Sequence, residues 1–222
     1  YPVELGLALG QAEVTPLEMG TFVAMLANGG NQVYGQPVTH AIDKNGDNHI
    51  YVTGLGGRLL DAETTALTRD IMRLVILQGT GGASRGALGQ RGFKGNAFGK
   101  TGTTDQNKDL WFVGSSTMLS GALWLGYDTP LNMKGSSSDL AAPLWGWWMH
   151  AMHQDLDVPR KFTGLATKAK YVCGVSGKYR NDTCTTMPIP TVSGQKTRGR
   201  CTENHPAPDL NKTYNSVWQR RG

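Results

Sequence analysis

The chain has 222 residues, 39% of them hydrophobic, and 22 basic against 17 acidic side chains give a net charge of +5. That length suits one or two domains and the composition is enough to fill a core. No run of about 18 apolar residues occurs, which excludes a membrane-spanning helix inside it, and the basic residues form no dense stripe interleaved with aromatics, which argues against nucleic acid as a partner.

Thr15-Pro16-Leu17-Glu18 has the pattern of a capping box with proline at the first helical position. It predicts a helix over 16–27, stopped by Asn28-Gly29-Gly30. Leu17, Met19, Phe22, Val23, Met25 and Leu26 put apolar side chains on nearly every face, so this helix is expected to be buried. Residues 37–43 and 48–52 read as two short strands around Lys44-Asn45-Gly46-Asp47, because Asn-Gly is a strong hairpin signal, and His40 and His49 fall on its exposed surface. Asp61 is placed to cap a second helix over 62–78, with Leu67, Ile71, Leu74, Val75 and Gln78 in one stripe. Gly79-Thr80-Gly81-Gly82 ends it, and 83–88 is expected to add a further turn.

A glycine-rich approach, Gly95 to Gly99, leads into Lys100-Thr101-Gly102-Thr103-Thr104 and then a polar turn, Asp105 to Lys108. Apolar strands are predicted at 110–113 and 119–125, and a tryptophan-rich helix at about 140–153. This order predicts an α+β fold, an antiparallel sheet with helices packed on it. Past about residue 155 proline, threonine, glycine, asparagine and charge dominate and apolar periodicity is lost. The expected division is 1–155 and a loop-rich C-terminal extension, 156–222.

A lysine, hydroxyls and a glycine on one extended strand suit a carboxylate. Lys100 supplies charge, the threonines supply donors, and Gly102 keeps the strand surface open to a ligand backbone. A phosphate loop is the rival reading of Gly99-Lys100-Thr101, but its first glycine belongs at position 94, which is Lys94, and no helix pattern follows. K-T-G is one third of the signature of penicillin-recognising serine enzymes, the others being S-x-x-K and S-x-N.

Other blocks stand around it in order: Leu7-Ala8-Leu9-Gly10, Glu13 to Met19, Ala27 to Gly30, Gly79-Thr80-Gly81, Asp109 to Gly114, Trp124 to Asp128, and Ser138 to Trp145 with Ala141-Ala142-Pro143. Together they resemble the second half of the transpeptidase domain of class A penicillin-binding proteins, the bifunctional peptidoglycan synthases, over residues 5–155. The resemblance implies acyl transfer from D-Ala-D-Ala stem peptides through a serine, a reaction that β-lactam antibiotics intercept, with no cofactor or metal. By motif, Lys100, Thr101 and Gly102 carry catalytic roles and Thr103 and Thr104 bind substrate. Lys100 would give charge and a proton relay, Thr101 and Thr103 would hold the substrate carboxylate, and the Thr103 N–H would be an oxyanion donor.

The family's S-x-x-K and S-x-N precede K-T-G, whereas this sequence has no S-x-N and its one S-x-x-K, Ser193 to Lys196, comes after it. The expectation is a piece of a longer protein whose nucleophile, membrane anchor and glycosyltransferase domain lie in a missing N-terminal part. The complete protein would be extracytoplasmic and membrane-anchored, and this piece alone inactive. A non-catalytic wall-binding or scaffold module is the alternative, and a β-lactamase is disfavoured by the tail.

Ser84 and Ser136 to Ser138 have no lysine or histidine at a catalytic spacing and read as loop or cap residues. His150 and His153 share a helix face without a third ligand, and Trp145, Trp147 and Trp148 are expected to pack their helix onto the sheet. Cys173, Cys184 and Cys201 resemble the cysteine-bearing C-terminal extension of some class A enzymes. One disulfide plus one spare thiol is the plain expectation outside the cytoplasm, and a Cys3His zinc site with His205 the sharper one, although no C-x-x-C knuckle supports it. The sequons at Asn181 and Asn211 are coincidental in a bacterial wall protein.

Overall fold

The structure is a computed structural model that describes residues 5–38, 40–50, 56–86, 91–192 and 199–205. Helix α1 spans Pro16–Ala27 and opens as its sequence predicts: the Thr15 hydroxyl accepts the Glu18 N–H, and the Glu18 carboxylate accepts the Thr15 N–H at 2.7 Å. These bonds satisfy helix-end donors and hold the Glu18 carboxyl below its ordinary range. The expectation of full burial is corrected. Val23, Met25 and Leu26 are buried, but Leu17 and Phe22 are 49% and 42% exposed, because only one side of α1 meets the sheet.

The hairpin pairs β1 (His40–Ile42) with β2 (Asn48–Ile50); its first strand is shorter than its sequence suggests, and residues 51–52 of the expected second strand lie outside the described residues. Its Asp43 carboxylate takes the N–H groups of Asn45 and Asp47 and meets His49 Nε2 at 3.2 Å. Helix α2 is Ala62–Gln78, capped by Asp61 through the Thr64 N–H.

The buried face of α2 differs from the expected stripe: it carries Thr65, Ala66, Arg69 and Ile76, while Ile71 is exposed. Arg69 is the reason. It is buried, donates to the carbonyls of Thr163 and Leu165 at 2.9 and 3.0 Å, and stacks over the Phe162 ring at 4.9 Å. A guanidinium so paired occupies a core position that hydropathy assigns to solvent. Its bonds fasten the segment following the last helix across α2.

The main sheet has the order β3-β4-β5, with β3 at Ala97–Thr103, β4 at Leu110–Ser116 and β5 at Ser120–Leu125, all antiparallel. Alternation sends its side chains to two buried faces. Phe98 and Val113 join Val23 and Leu26 of α1, while Ala97, Leu110 and Phe112 join Trp145 and Met149 of helix α3, Ala141–Met152. Trp145 and Trp148 pack α3 on the sheet as expected, whereas Trp147 points outward and is half exposed.

Gly146 lets α3 approach the loop after α2. A Cβ there would lie 1.9 Å from the Ser84 carbonyl oxygen, a backbone atom that cannot yield without moving α3. Gly146→Ala is therefore expected to destabilise by about 2 kcal/mol, read from chemical denaturation.

The extension is less loop-like than its composition indicates. Strands β6 (Lys168–Cys173) and β7 (Thr186–Thr191) form an antiparallel ribbon. Pro188 and Pro190 sit two apart, so the N–H groups they lack belong to a single edge of β7. That spacing keeps the other edge free to pair, and it hides the strand from composition-based reading.

Candidate active site

Residues 100–103 lie on β3, which is an edge strand of the three-stranded sheet. They are extended and at the surface, with Lys100 and Thr103 exposed and Thr101 and Gly102 half-buried. A lysine and threonine in mid-strand, with no helix opening at that point, also dispose of the phosphate-loop reading.

The backbone directions follow from one bond. Thr104 N–H donates to the Asp109 carbonyl at 3.1 Å, toward the β4 end of the turn. Successive amides alternate sides along a strand, so the N–H groups of Thr103 and Thr101 point away from β4, along the open edge. Lys100 Nζ reaches to the same edge and donates to the Thr101 carbonyl at 2.8 Å. An ammonium and an outward amide thus share one strip of surface.

The hydroxyls are held in reserve by neutral partners. Thr101 Oγ1 meets Thr80 Oγ1 at 2.7 Å, and Thr103 Oγ1 meets Ser137 Oγ at 2.6 Å. Ser137 Oγ donates to the Gly102 carbonyl, so its lone pair receives the Thr103 proton. A carboxylate arriving at this edge is a stronger acceptor than a neutral hydroxyl and would draw that proton to itself. Ser137 is buried, and its backbone carbonyl takes the Ala142 N–H at the start of α3.

Thr104 is turned away from this row. Its hydroxyl donates to Asp109 Oδ2 at 3.0 Å and accepts the Asp109 N–H at 2.8 Å, while Trp124 Nε1 donates to Asp109 Oδ1. These bonds lock the β3–β4 turn, where Gln106 and Asn107 adopt left-handed φ values of 60° and 54°. Thr80 and Ser137 stand at the site without having been assigned to it from sequence; Thr80 lay within a recognised block, while Ser137 was weighed as a nucleophile and read as a loop or cap residue.

The remaining candidates resolve into structural parts. His153 Nδ1 donates to the Met149 carbonyl, so Nε2 accepts from the Ser116 hydroxyl at 2.8 Å, while His150 bonds Gln154. Ser136 binds Asp139 through both its N–H and its hydroxyl, which lowers the Asp139 carboxyl from its ordinary range. Ser193 to Lys196 and the sequon at Asn211 lie outside the described residues. Asn181 is fully engaged: its amide donates to the Cys201 and Glu203 carbonyls, and its oxygen accepts from Thr183 and the Cys184 thiol.

The expected disulfide is absent among the described residues. Cys173, Cys184 and Cys201 are all free and stand together with His205, every sulfur and the ring nitrogen lying within 4.8 Å of one another. Burial pushes the Cys184 thiol up to about 11, whereas hydrogen bonds from Ser176 pull the Cys173 and Cys201 thiols down.

Known proteins share this fold. Residues 4–144 match the family described as Penicillin binding protein transpeptidase domain, and the chain belongs to that family. Among its relatives, penicillin-binding protein 1A of Neisseria lactamica is 34% identical over 65% of this chain. Penicillin-binding protein 1A of Aquifex aeolicus is 29% identical over 89% of it. The chain spans 18% and 27% of the lengths of those two relatives. Penicillin-binding protein 1A from Haemophilus influenzae has the same fold, with a TM-score of 0.70 at 20% identity over 90% of this chain and 35% of its own. The PonA1 protein from Mycobacterium tuberculosis, solved in complex with penicillin V, gives a TM-score of 0.56 at 24% identity over 74% of this chain and 46% of its own. The α+β architecture is thus that of penicillin-binding transpeptidases. Among the described residues no helix is long and apolar enough to cross a membrane.

Proposed function

We propose that the chain is one wall of the active site of a cell-wall D,D-transpeptidase, which cross-links peptidoglycan by serine acyl transfer and is acylated by penicillins. The observation that carries this reading is the open edge of β3, where Lys100 Nζ, the outward N–H of Thr103 and the Thr101 and Thr103 hydroxyls line one strip.

In this reading the terminal carboxylate of a D-Ala-D-Ala stem peptide, or of a β-lactam, lies against the hydroxyls of Thr101 and Thr103. The nearby Lys100 ammonium adds electrostatic attraction at a partly dehydrated edge. The peptide backbone pairs with β3 as an added strand, which the small Gly102 permits by close approach. The scissile carbonyl oxygen then comes to the Thr103 N–H. That amide stabilises the negative charge formed when a serine attacks, and a second donor would belong to the nucleophile's own segment. D-Alanine departs, and an amine on a neighbouring stem takes the acyl group. Lys100 supplies positive charge beside the reacting groups and a contact for their proton relay.

The nucleophile and its lysine base belong to the larger part of the protein, N-terminal to the residues described, together with the membrane anchor and glycosyltransferase domain. The partners are peptidoglycan stem peptides, β-lactams and that N-terminal part, in an extracytoplasmic, membrane-anchored protein. Thr104 serves this site indirectly, by fixing the turn through Asp109.

Peptide mapping of the full-length protein after treatment with labelled penicillin tests the reading. A stable ester on a serine outside these 222 residues is expected. An ester on a serine within them would overturn the assignment of roles. Absence of any adduct would favour the non-catalytic wall-binding module, and rapid release of hydrolysed drug would favour a β-lactamase.

A further inference from the structure

We propose that the C-terminal extension holds a structural zinc ion through Cys173, Cys184, Cys201 and His205, a site independent of the acyl-transfer edge. Three thiols and an imidazole converge from separate stretches of chain. His205 Nε2 lies 3.3 Å from both Cys173 Sγ and Cys201 Sγ, and all four ligand atoms fall within 4.8 Å of each other. A tetrahedral zinc with its usual bond lengths separates a sulfur from a nitrogen by about 3.6 Å and two sulfurs by about 3.8 Å. The observed spacing therefore fits one small cation at the centre of the group. Cys3His is a borderline-soft donor set that selects zinc over magnesium or calcium, and four protein ligands leave no open position for catalysis.

Backbone amides already reach two of the sulfurs. Sulfur in Cys173 receives the Ser176 N–H at 3.4 Å, and sulfur in Cys184 receives the Asn181 N–H at 3.3 Å. Such amide donors favour the charged form and orient the lone pairs. The turn after Cys173 is tight: Gly177 N–H returns to the Cys173 carbonyl, with Gly177 at a φ of +69°, and Cys173 N–H bonds the Lys178 carbonyl.

Tyr179 then bridges to the last described segment. Its N–H donates to the Gly199 carbonyl and its carbonyl accepts the Cys201 N–H. Asn181 clamps the same segment through the carbonyls of Cys201 and Glu203, and the Thr183 hydroxyl accepts the His205 N–H. Backbone bonds from two turns thus aim all four ligands inward.

A zinc would also supply what the extension lacks. Among the described residues of the extension the buried side chains are few, Val172, Cys173, Thr191, Val192 and Cys201, which is little apolar material to stabilise it. Binding would expel the three thiol protons to solvent as the sulfurs become thiolate ligands. Ligation also shields the sulfurs from oxidation in a compartment where free thiols pair.

Elemental analysis of the full chain, purified without chelator, tests this directly. One zinc per chain is expected, with all three cysteines unreactive to thiol reagents until a chelator is added. His205→Cys should keep the zinc, because it offers a fourth thiolate, and Cys201→Ser should lose it. Cobalt exchanged into the wild-type chain should give the intense near-ultraviolet sulfur-to-metal bands and visible bands of a tetrahedral thiolate site, a readout that does not depend on any variant folding. A chain free of zinc whose mass rises on reduction by the two hydrogens of one disulfide would overturn the proposal. So would cobalt bound without thiolate bands.

Discussion

Lys100→Met in the full-length protein is expected to slow acylation by penicillin by about a thousandfold, the scale seen when a preorganised electrostatic group is lost from an acyl-transfer site. Lys100 is exposed, and its ammonium bonds a carbonyl of its own strand. Little packing is therefore lost with the charge, and thermal stability should shift by less than about 0.5 kcal/mol. Lys100→Arg keeps the charge and changes the donor geometry, so its rate should fall between the two. The measurement is the observed rate of adduct formation against penicillin concentration. A rate for Lys100→Met equal to the wild type would remove Lys100 from the site.

Trp145→Ala should cost about 4 kcal/mol of folding stability. The indole is fully buried and packs against Phe112 with ring centres 4.9 Å apart. Its Nε1 donates to the Gly121 carbonyl at 3.1 Å, and its edge lies 3.0 Å from where a Cβ on Gly114 would stand. Truncation leaves a large cavity between α3 and the sheet and strips a β5 carbonyl of its donor. Trp147→Ala, on the half-exposed outer side of the same helix, should stay within about 0.5 kcal/mol. Denaturant titration of both variants checks the contrast, and equal losses would contradict the packing described here.

How far sequence could be read depended on whether the governing interaction was local. The bounds of α1 and α2 follow from side chains bonding their own first turns, Thr15 with Glu18 and Asp61 with Thr64, so the pattern sits within four residues. Strands β4 and β5 announce themselves by apolar runs, and β3 by the glycine-rich approach and the Lys100 to Thr104 stretch before a polar turn. The buried face of α2 could not be found this way, because Arg69 is stabilised by carbonyls 94 and 96 residues distant.

The same division runs through the site. Lys100 to Thr103 are contiguous and carry a recognisable motif, whereas Thr80 and Ser137 reach them from 21 and 34 residues away. Thr104 continues the motif by sequence, yet Asp109, five residues on, claims its hydroxyl. Hydropathy could not anticipate the ribbon β6–β7 or the gathering of three cysteines on His205. Cys173 and Cys184 are separated by ten residues rather than the two of a common zinc knuckle, and bonds of Tyr179, Asn181 and Thr183 to the segment 199–205 bring Cys201 and His205 to them.

The position of a bound acyl group relative to β3 bears most directly on the central claim. In a crystal structure of the full-length protein acylated by penicillin, the drug's carboxylate should lie within hydrogen-bond reach of the Thr101 and Thr103 hydroxyls. Its acyl oxygen should accept the Thr103 N–H. A ligand esterified elsewhere, with the β3 edge empty or its hydroxyls still bonded to Thr80 and Ser137, would contradict the claim.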